Sequence, residues 1–346
     1  LHRRRHSFPT RRSSDLFLFA NSLRVSNFVD YIDIEVLKDF ASKNGVEIIY
    51  DTHGYNEDIY NKLLDNSESY DVAFLSSNYI QKLKKQNLIT EIEKDKLSNY
   101  KNIDQKILES NFRDTKNYLV PYFWGSIGLY INQSKTNKNF YSWNDLWSAD
   151  LKKSILISKE PLDVFAISLK SLGYSVNTTN EQEIKKAYEK LLLLIPNIKK
   201  LSSGNAPTYF TENDFIAGMM FNGDAKTITE DAKEYKYIYP KEGVLLWADG
   251  MVIPTNSKNK ELAYKFIDFI IDAKVSAQIA DKIGYALANA EAKKYMPKSY
   301  LNDYIIYPST NQMKNSEILN DNESSNRLIL EYWQKFLSEF DKYQGK

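Results

Sequence analysis

From Ser22 onward, short β-prone apolar runs alternate with stretches whose apolar residues recur at helical spacing, and few architectures accept that alternation. Residues 22–27 read as a strand. Residues 34–43 read as a helix, with Val36, Leu37, Phe40 and Ala41 on one face and Gly45 placed to cap it. Residues 46–50 read as a strand, 57–64 as a helix and 71–75 as a strand. Strands joined by helices of this length predict an α/β chain on a parallel sheet covered on both faces, with ligands at the carboxyl ends of the strands. Two such ends are visible, one over residues 27–31 with Phe28, Asp30 and Tyr31, the other over residues 76–79 with Ser76, Asn78 and Tyr79. A second series starts at S-I-L-I-S, passes through helices over 164–172 and 180–194, and reaches a strand ending at Phe221. Helices over 260–271, 275–283 and 326–340 complete the chain.

A length of 346 residues leaves room for two domains with cores of their own. There is no cysteine, which excludes disulfides, thiolate metal sites and cysteine nucleophiles. Of three histidines only His53 lies beyond the first sixteen residues, so a Ser-His-Asp triad or a histidine-rich zinc site has little to build from. Neither a catalytic residue, nor a metal, nor a cofactor is expected. Without those sixteen residues the chain carries 41 basic against 44 acidic side chains, and a nucleic-acid surface would need clustered basic excess.

The beginning differs in kind from the rest. Residues 1–16 show neither helical nor strand periodicity, and residues 6–16 resemble the conceptual translation of a sequencing-library adapter fused in frame. Leu16 to Ala20, L-F-L-F-A, then reads as the tail of a signal peptide cleaved ahead of Asn21, which implies export. Residues 1–20 are accordingly set aside as non-native segment plus signal remnant. No later apolar run approaches the length of a membrane span.

Chemistry concentrates in V-L-L-W-A-D-G-M-V-I-P, residues 244–254. The run reads as a buried strand, yet Trp247 and Asp249 interrupt it two residues apart, and alternation turns both to one face. An aromatic face beside an anion on rigid backbone suits an organic cation. Taken alone, the stretch equally allows Trp247 in the core and Asp249 in a turn before Gly250. A proline and a glycine bracket aromatics at P-Y-F-W-G, residues 121–125, which reads equally as a crossing between domains or as an aromatic-rich core strand. Glu160 and Asp163 flank Pro161 at a helix start, where acids often serve only the helix dipole.

Six strings in order, N-F-V-D-Y, Y-D-V-A-F-L-S-S, P-Y-F-W-G, M-M-F-N-G, P-K-E-G-V-L-L-W-A-D-G-M-V-I-P and K-I-G-Y-A-L-A-N, give the chain its family likeness. It resembles the spermidine/putrescine-binding proteins of bacterial ABC importers from about Ser22 to the end. The resemblance implies a type II periplasmic-binding-protein fold, two α/β lobes with a ligand cleft between them. Residues 21–125 and 248–293 would form the first lobe, and 126–247 with 294–346 the second. It also implies a periplasmic, monomeric protein that hands its polyamine to the membrane permease subunits of the transporter. Carried over by motif, the ligand-binding residues are Phe28, Asp30, Tyr31, Ser76, Asn78, Glu160, Asp163, Phe221, Trp247, Asp249 and Tyr285. Phe28 and Phe221 stand where close relatives have tryptophan, Asn78 where tyrosine is common, Val29 where a hydroxyl is and Leu319 where a glutamine can reach a terminal amine. Four carboxylates, Asp30, Glu160, Asp163 and Asp249, exceed the charge of a diamine and favour spermidine over putrescine. A same-fold carrier of thiamine or iron, and an enzyme using Glu160 and Asp163 as a glycosidase acid pair, are the alternatives.

Overall fold

The computed structural model describes residues 21–202, 206–212 and 214–345. The expectations for residues 1–20 lie outside the described residues. β1 (Ser22–Phe28) buries Leu23 and Val25 by strand alternation. α1 (Ile34–Asn44) is capped by the Asp33 side chain, closes on Gly45, and buries Val36, Leu37 and Phe40. β2 (Glu47–His53), α2 (Asn56–Leu64), β3 (Val72–Ser76) and α3 (Ser77–Lys85) complete the first series, with β1 parallel to both β2 and β3. The polar stretch that follows contains only the short α4 (Gln105–Asn111) and single 3-10 turns before β4 (Val120–Asn132).

The second series comprises β5 (Ile155–Ser158), α5 (Pro161–Ser171), α6 (Glu181–Leu194), β6 (Ile198–Ser202), α7 (Ala206–Glu212), β7 (Ala217–Phe221), α8 (Asn222–Asp231) and β8 (Tyr235–Ile238). β9 (Leu245–Val252) returns the chain to α9 (Lys260–Ile270), α10 (Ala273–Ile283) and β10 (Ala286–Leu287). The chain ends through α11 (Lys298–Leu301), β11 (Glu317–Ile318) and α12 (Glu323–Gln344), the last longer at both ends than its apolar stripe suggests.

One sheet runs through the molecule in the order β2-β1-β3-β9-β4-β7-β5-β6. Along this path the expected parallel pairing holds only toward its two ends, in β1 with β2 and β3 and in β5 with β6 and β7. The middle is antiparallel: β9 pairs with β3 on one side and β4 on the other, and β4 pairs with β7. The sheet is mixed because β4 leaves the first βα series for the second and β9 brings the chain back.

The side chains pack accordingly. One core gathers Leu23, Val36, Phe40, Phe266 and Ile267, with a satellite under α2 and α3; another gathers Leu129, Trp143, Phe165, Leu191, Trp333 and Phe336. Trp247 on β9 packs against both of these main cores. Met296, Tyr300 and Leu301 lie with the first core, although the resemblance puts 294–346 in the second lobe. A further connection is made by β11, which runs parallel to β9 at Leu245 and Leu246. Its Glu317 pairs with the buried Lys170 of α5, and four residues on Asp321 pairs with Lys85 of α3 at 2.6 Å.

Candidate functional site

Asp249 is where the two strands in the middle of the sheet deliver a charge. In β9 it stands opposite Ser76 of β3, and its side chain is buried. The Ser76 hydroxyl donates to Oδ1 at 2.6 Å and the Tyr31 hydroxyl to Oδ2 at 2.9 Å. Burial pushes its pKa up to about 6, while those two donors act in the opposite sense. Tyr31 is itself fixed, since the Tyr122 hydroxyl donates to its carbonyl at 2.8 Å. Tyr122 comes from P-Y-F-W-G, so one crossing strand supports the residue that holds the carboxylate of the other.

Aromatic rings lead away from this point. Tyr31 lies 5.6 Å from Phe28 and 5.7 Å from Tyr285, edge to face; Tyr285 lies 4.9 Å from Trp247, and Trp247 6.1 Å from Phe221. The row joins residues from β1, β7, β9 and the loop after α10. Two glycines make room for it. A Cβ on Gly125 would sit 2.4 Å from the Trp247 ring, and one on Gly223 would sit 2.2 Å from the Tyr285 ring. At the far end His53 packs 4.4 Å from Phe28 and meets the Ser26 hydroxyl at 2.9 Å; burial lowers its pKa to about 4, so it is neutral at pH 7.

A second group of carboxylates stands at the start of α5. Burial and the neighbouring Glu160 raise the Asp163 pKa to about 8. Its side chain keeps a solvent-facing edge, but the surrounding walls exclude most of the bulk water that would stabilise its charge. Glu160 is raised by burial and then by Glu57 and Asp58, which come from the first turn of α2. Tyr79 of α3 joins the two sides: its hydroxyl donates to Glu57 at 2.8 Å, and Glu57, Glu160 and Asp163 together with burial hold its phenol far above the ordinary range. Ser76 and Tyr79, three residues apart on one helix start, thus bond Asp249 and Glu57 respectively, and Tyr79 feels the charges of Glu160 and Asp163.

The comparisons with known proteins give the family and the fold. The family model for bacterial extracellular solute-binding proteins matches residues 35–304. The spermidine/putrescine-binding periplasmic protein of Escherichia coli is 35% identical over 317 residues, covering 91% of each chain. A similar protein of the same description from Haemophilus influenzae is 30% identical over 89% of this chain and 86% of its own. The crystal structure of the spermidine/putrescine ABC transporter substrate-binding protein PotD from Streptococcus pneumoniae superposes with a TM-score of 0.82 at 30% identity, covering 93% of this chain and all of that one. The chain belongs to the spermidine/putrescine-binding branch of the bacterial extracellular solute-binding proteins. Its fold is that of the periplasmic binding proteins, and its family is one of transport proteins rather than enzymes.

In this family member the residues expected to bind ligand fall into three sets. Tyr31, Ser76 and Asp249 are hydrogen-bonded together, Phe28, Tyr31, Tyr285, Trp247 and Phe221 form the ring row, and Glu160 and Asp163 adjoin each other. Asp30 is exposed, in left-handed backbone at φ 56°, and its charge acts on Tyr50; among the described residues it has no hydrogen bond or ring contact to the other sets. Asn78 is buried in the first turn of α3. Asn56, Glu57 and Asp58 carry no signal of their own in the sequence, and Tyr79 enters there only as part of the strand end at 76–79. Acids at a helix start carry no distinguishing signal, and only the folded chain sets Asn56 against Ser76 and the charges of Glu57 and Asp58 against Glu160. No group of three acidic or histidine side chains among the described residues is placed to hold a metal, and no described helix is long and apolar enough to cross a membrane.

Proposed function

We propose that this protein captures a polyamine between its two cores and delivers it to an ABC importer. The observation that carries the reading is a buried carboxylate, Asp249, held by Ser76 and Tyr31 beside a row of rings, with a second acidic group, Glu160 and Asp163, whose charges act on Tyr79, three residues along from Ser76. Such a surface pairs ammonium groups at its ends and covers methylenes between them. The names of the relatives support the same ligand class. The ligand-binding residues are Phe28, Tyr31, Ser76, Asn78, Glu160, Asp163, Phe221, Trp247, Asp249 and Tyr285, with Asp30 at the rim. The carboxylate count favours spermidine over putrescine. The protein works outside the cytoplasm as a monomer and docks on the permease subunits of its transporter.

A thermal-shift panel of putrescine, spermidine, spermine, cadaverine and thiamine tests this. A site-specific ligand at 100 times its Kd stabilises by about 2.7 kcal/mol. The expected result is a shift with polyamines, largest for spermidine. A shift with thiamine alone, or with none of them, rejects the reading.

A further inference from the structure

Ser76 is the N-cap residue of α3, yet its side chain makes no hydrogen bond to its own helix. A serine there ordinarily turns its oxygen onto the free backbone N–H groups of the first turn. Here Asn56, the first residue of α2, draws it aside. The Ser76 backbone N–H donates to Asn56 Oδ1 at 2.8 Å, which fixes the orientation of the amide. The Nδ2 group of Asn56 therefore faces the hydroxyl and donates to Ser76 Oγ at 3.0 Å. A hydroxyl has one proton, and with Oγ already accepting from Asn56 that proton is directed to Asp249 Oδ1 at 2.6 Å.

We infer that Asn56 is a positioning residue of the polyamine site, acting through Ser76 to hold the Asp249 carboxylate ionised and aimed at an ammonium group. The inference rests on the polyamine reading for its consequence in binding, but not for the hydrogen-bond relay itself. The other titratable groups around Asp249 are the phenols of Tyr31, Tyr122 and Tyr285, all held well above their ordinary range by burial and neutral throughout an assay between pH 4 and 9. A change in the acid titration of Asp249 therefore reports on the relay.

The test follows the Asp249 carboxyl carbon by NMR across pH in the ligand-free protein, in wild type, Asn56→Leu, Asn56→Ala, Ser76→Ala and the Asn56→Leu/Ser76→Ala double variant. Asn56→Ala removes the same amide without adding bulk or charge should Asn56→Leu not fold. The expected result is a rise in the Asp249 midpoint of about half a pH unit or more in each Asn56 variant, with no further rise when Asn56→Leu is added to Ser76→Ala. Spermidine affinity at pH 7 falls in parallel by about three- to tenfold. An unmoved midpoint, or additive effects in the double variant, overturns the relay even if the protein melts earlier. A midpoint that moves in the Asn56 variants while the wild-type protein binds no polyamine leaves the relay standing and rejects the ligand instead.

Discussion

At Asp249 two effects oppose each other: enclosure disfavours the anion, and two hydroxyl donors favour it. With a pKa of about 6 the carboxylate is mostly ionised at pH 7 and can pair with an ammonium ion that enters beside Trp247 and Tyr285. Leaving a buried amine without its carboxylate costs about 3–5 kcal/mol, two to three and a half decades in affinity. Losing one ring over a cation costs about 0.5–2 kcal/mol. Asp249→Ala is therefore expected to weaken spermidine binding far more than Phe28→Ala, and calorimetry giving the opposite order would remove the electrostatic basis of the site. Sequence alone made Trp247 and Asp249 visible, because a carboxylate inside an apolar strand is a cost that needs a reason. It could not show Asn56, whose role depends on which oxygen a serine proton faces.

The elements that decide the geometry are β4 and β9, the two strands shared between the cores. Gly125 of β4 stands opposite Trp247 of β9, and an added Cβ would also meet Asn222 Oδ1 at 2.3 Å. That oxygen accepts the Ser126 backbone N–H, so neither neighbour can move freely. Gly125→Ala is expected to cost about 1–3 kcal/mol of stability and to displace the Trp247 ring. Chemical denaturation and tryptophan emission measure the two effects, and a variant that matches wild type in both would show that the strands absorb a methyl group without loss. Gly223→Ala is expected to disturb Tyr285 in the same way, read as weaker spermidine binding in calorimetry with α8 intact by circular dichroism. Helices α1, α2, α6 and α9 were legible from spacing alone, since each buries a stripe with a period near 3.6 residues, whereas α3 and α7 were not expected and α5 is buried on every side over 164–170. The antiparallel centre was not. A long apolar strand reads the same whether its neighbours run with it or against it, and the pairing of Pro121 with Gly250 is set by distant packing.

For the whole molecule, the two carboxylate groups tie folding and ligand capture to protons. Asp163, with a pKa of about 8, and Asp249, with one of about 6, both lie above the value of about 3.9 that an aspartate has in an unfolded chain. Between those limits the folded protein holds protons that the unfolded chain has released. Stability of the ligand-free protein accordingly falls as pH rises from about 4 through about 8, and levels off above the higher value. Capture runs the other way. Alkylammonium groups keep their charge across this range, as a lysine with pKa near 10.4 does, but they pair only with ionised carboxylates. A polyamine must therefore displace the proton on Asp163, and near pH 7, where Asp249 is already mostly ionised, the expectation is release of about one proton per ligand. Affinity should then rise between pH 6 and pH 8, by up to about tenfold per unit for each proton released. Calorimetry at pH 7 in two buffers of different ionisation heat counts the protons directly, and Asp163→Asn should abolish most of the release. Equal heats in both buffers, or affinity that falls as pH rises, would mean that Asp163 and its partners do not meet the ligand's charge.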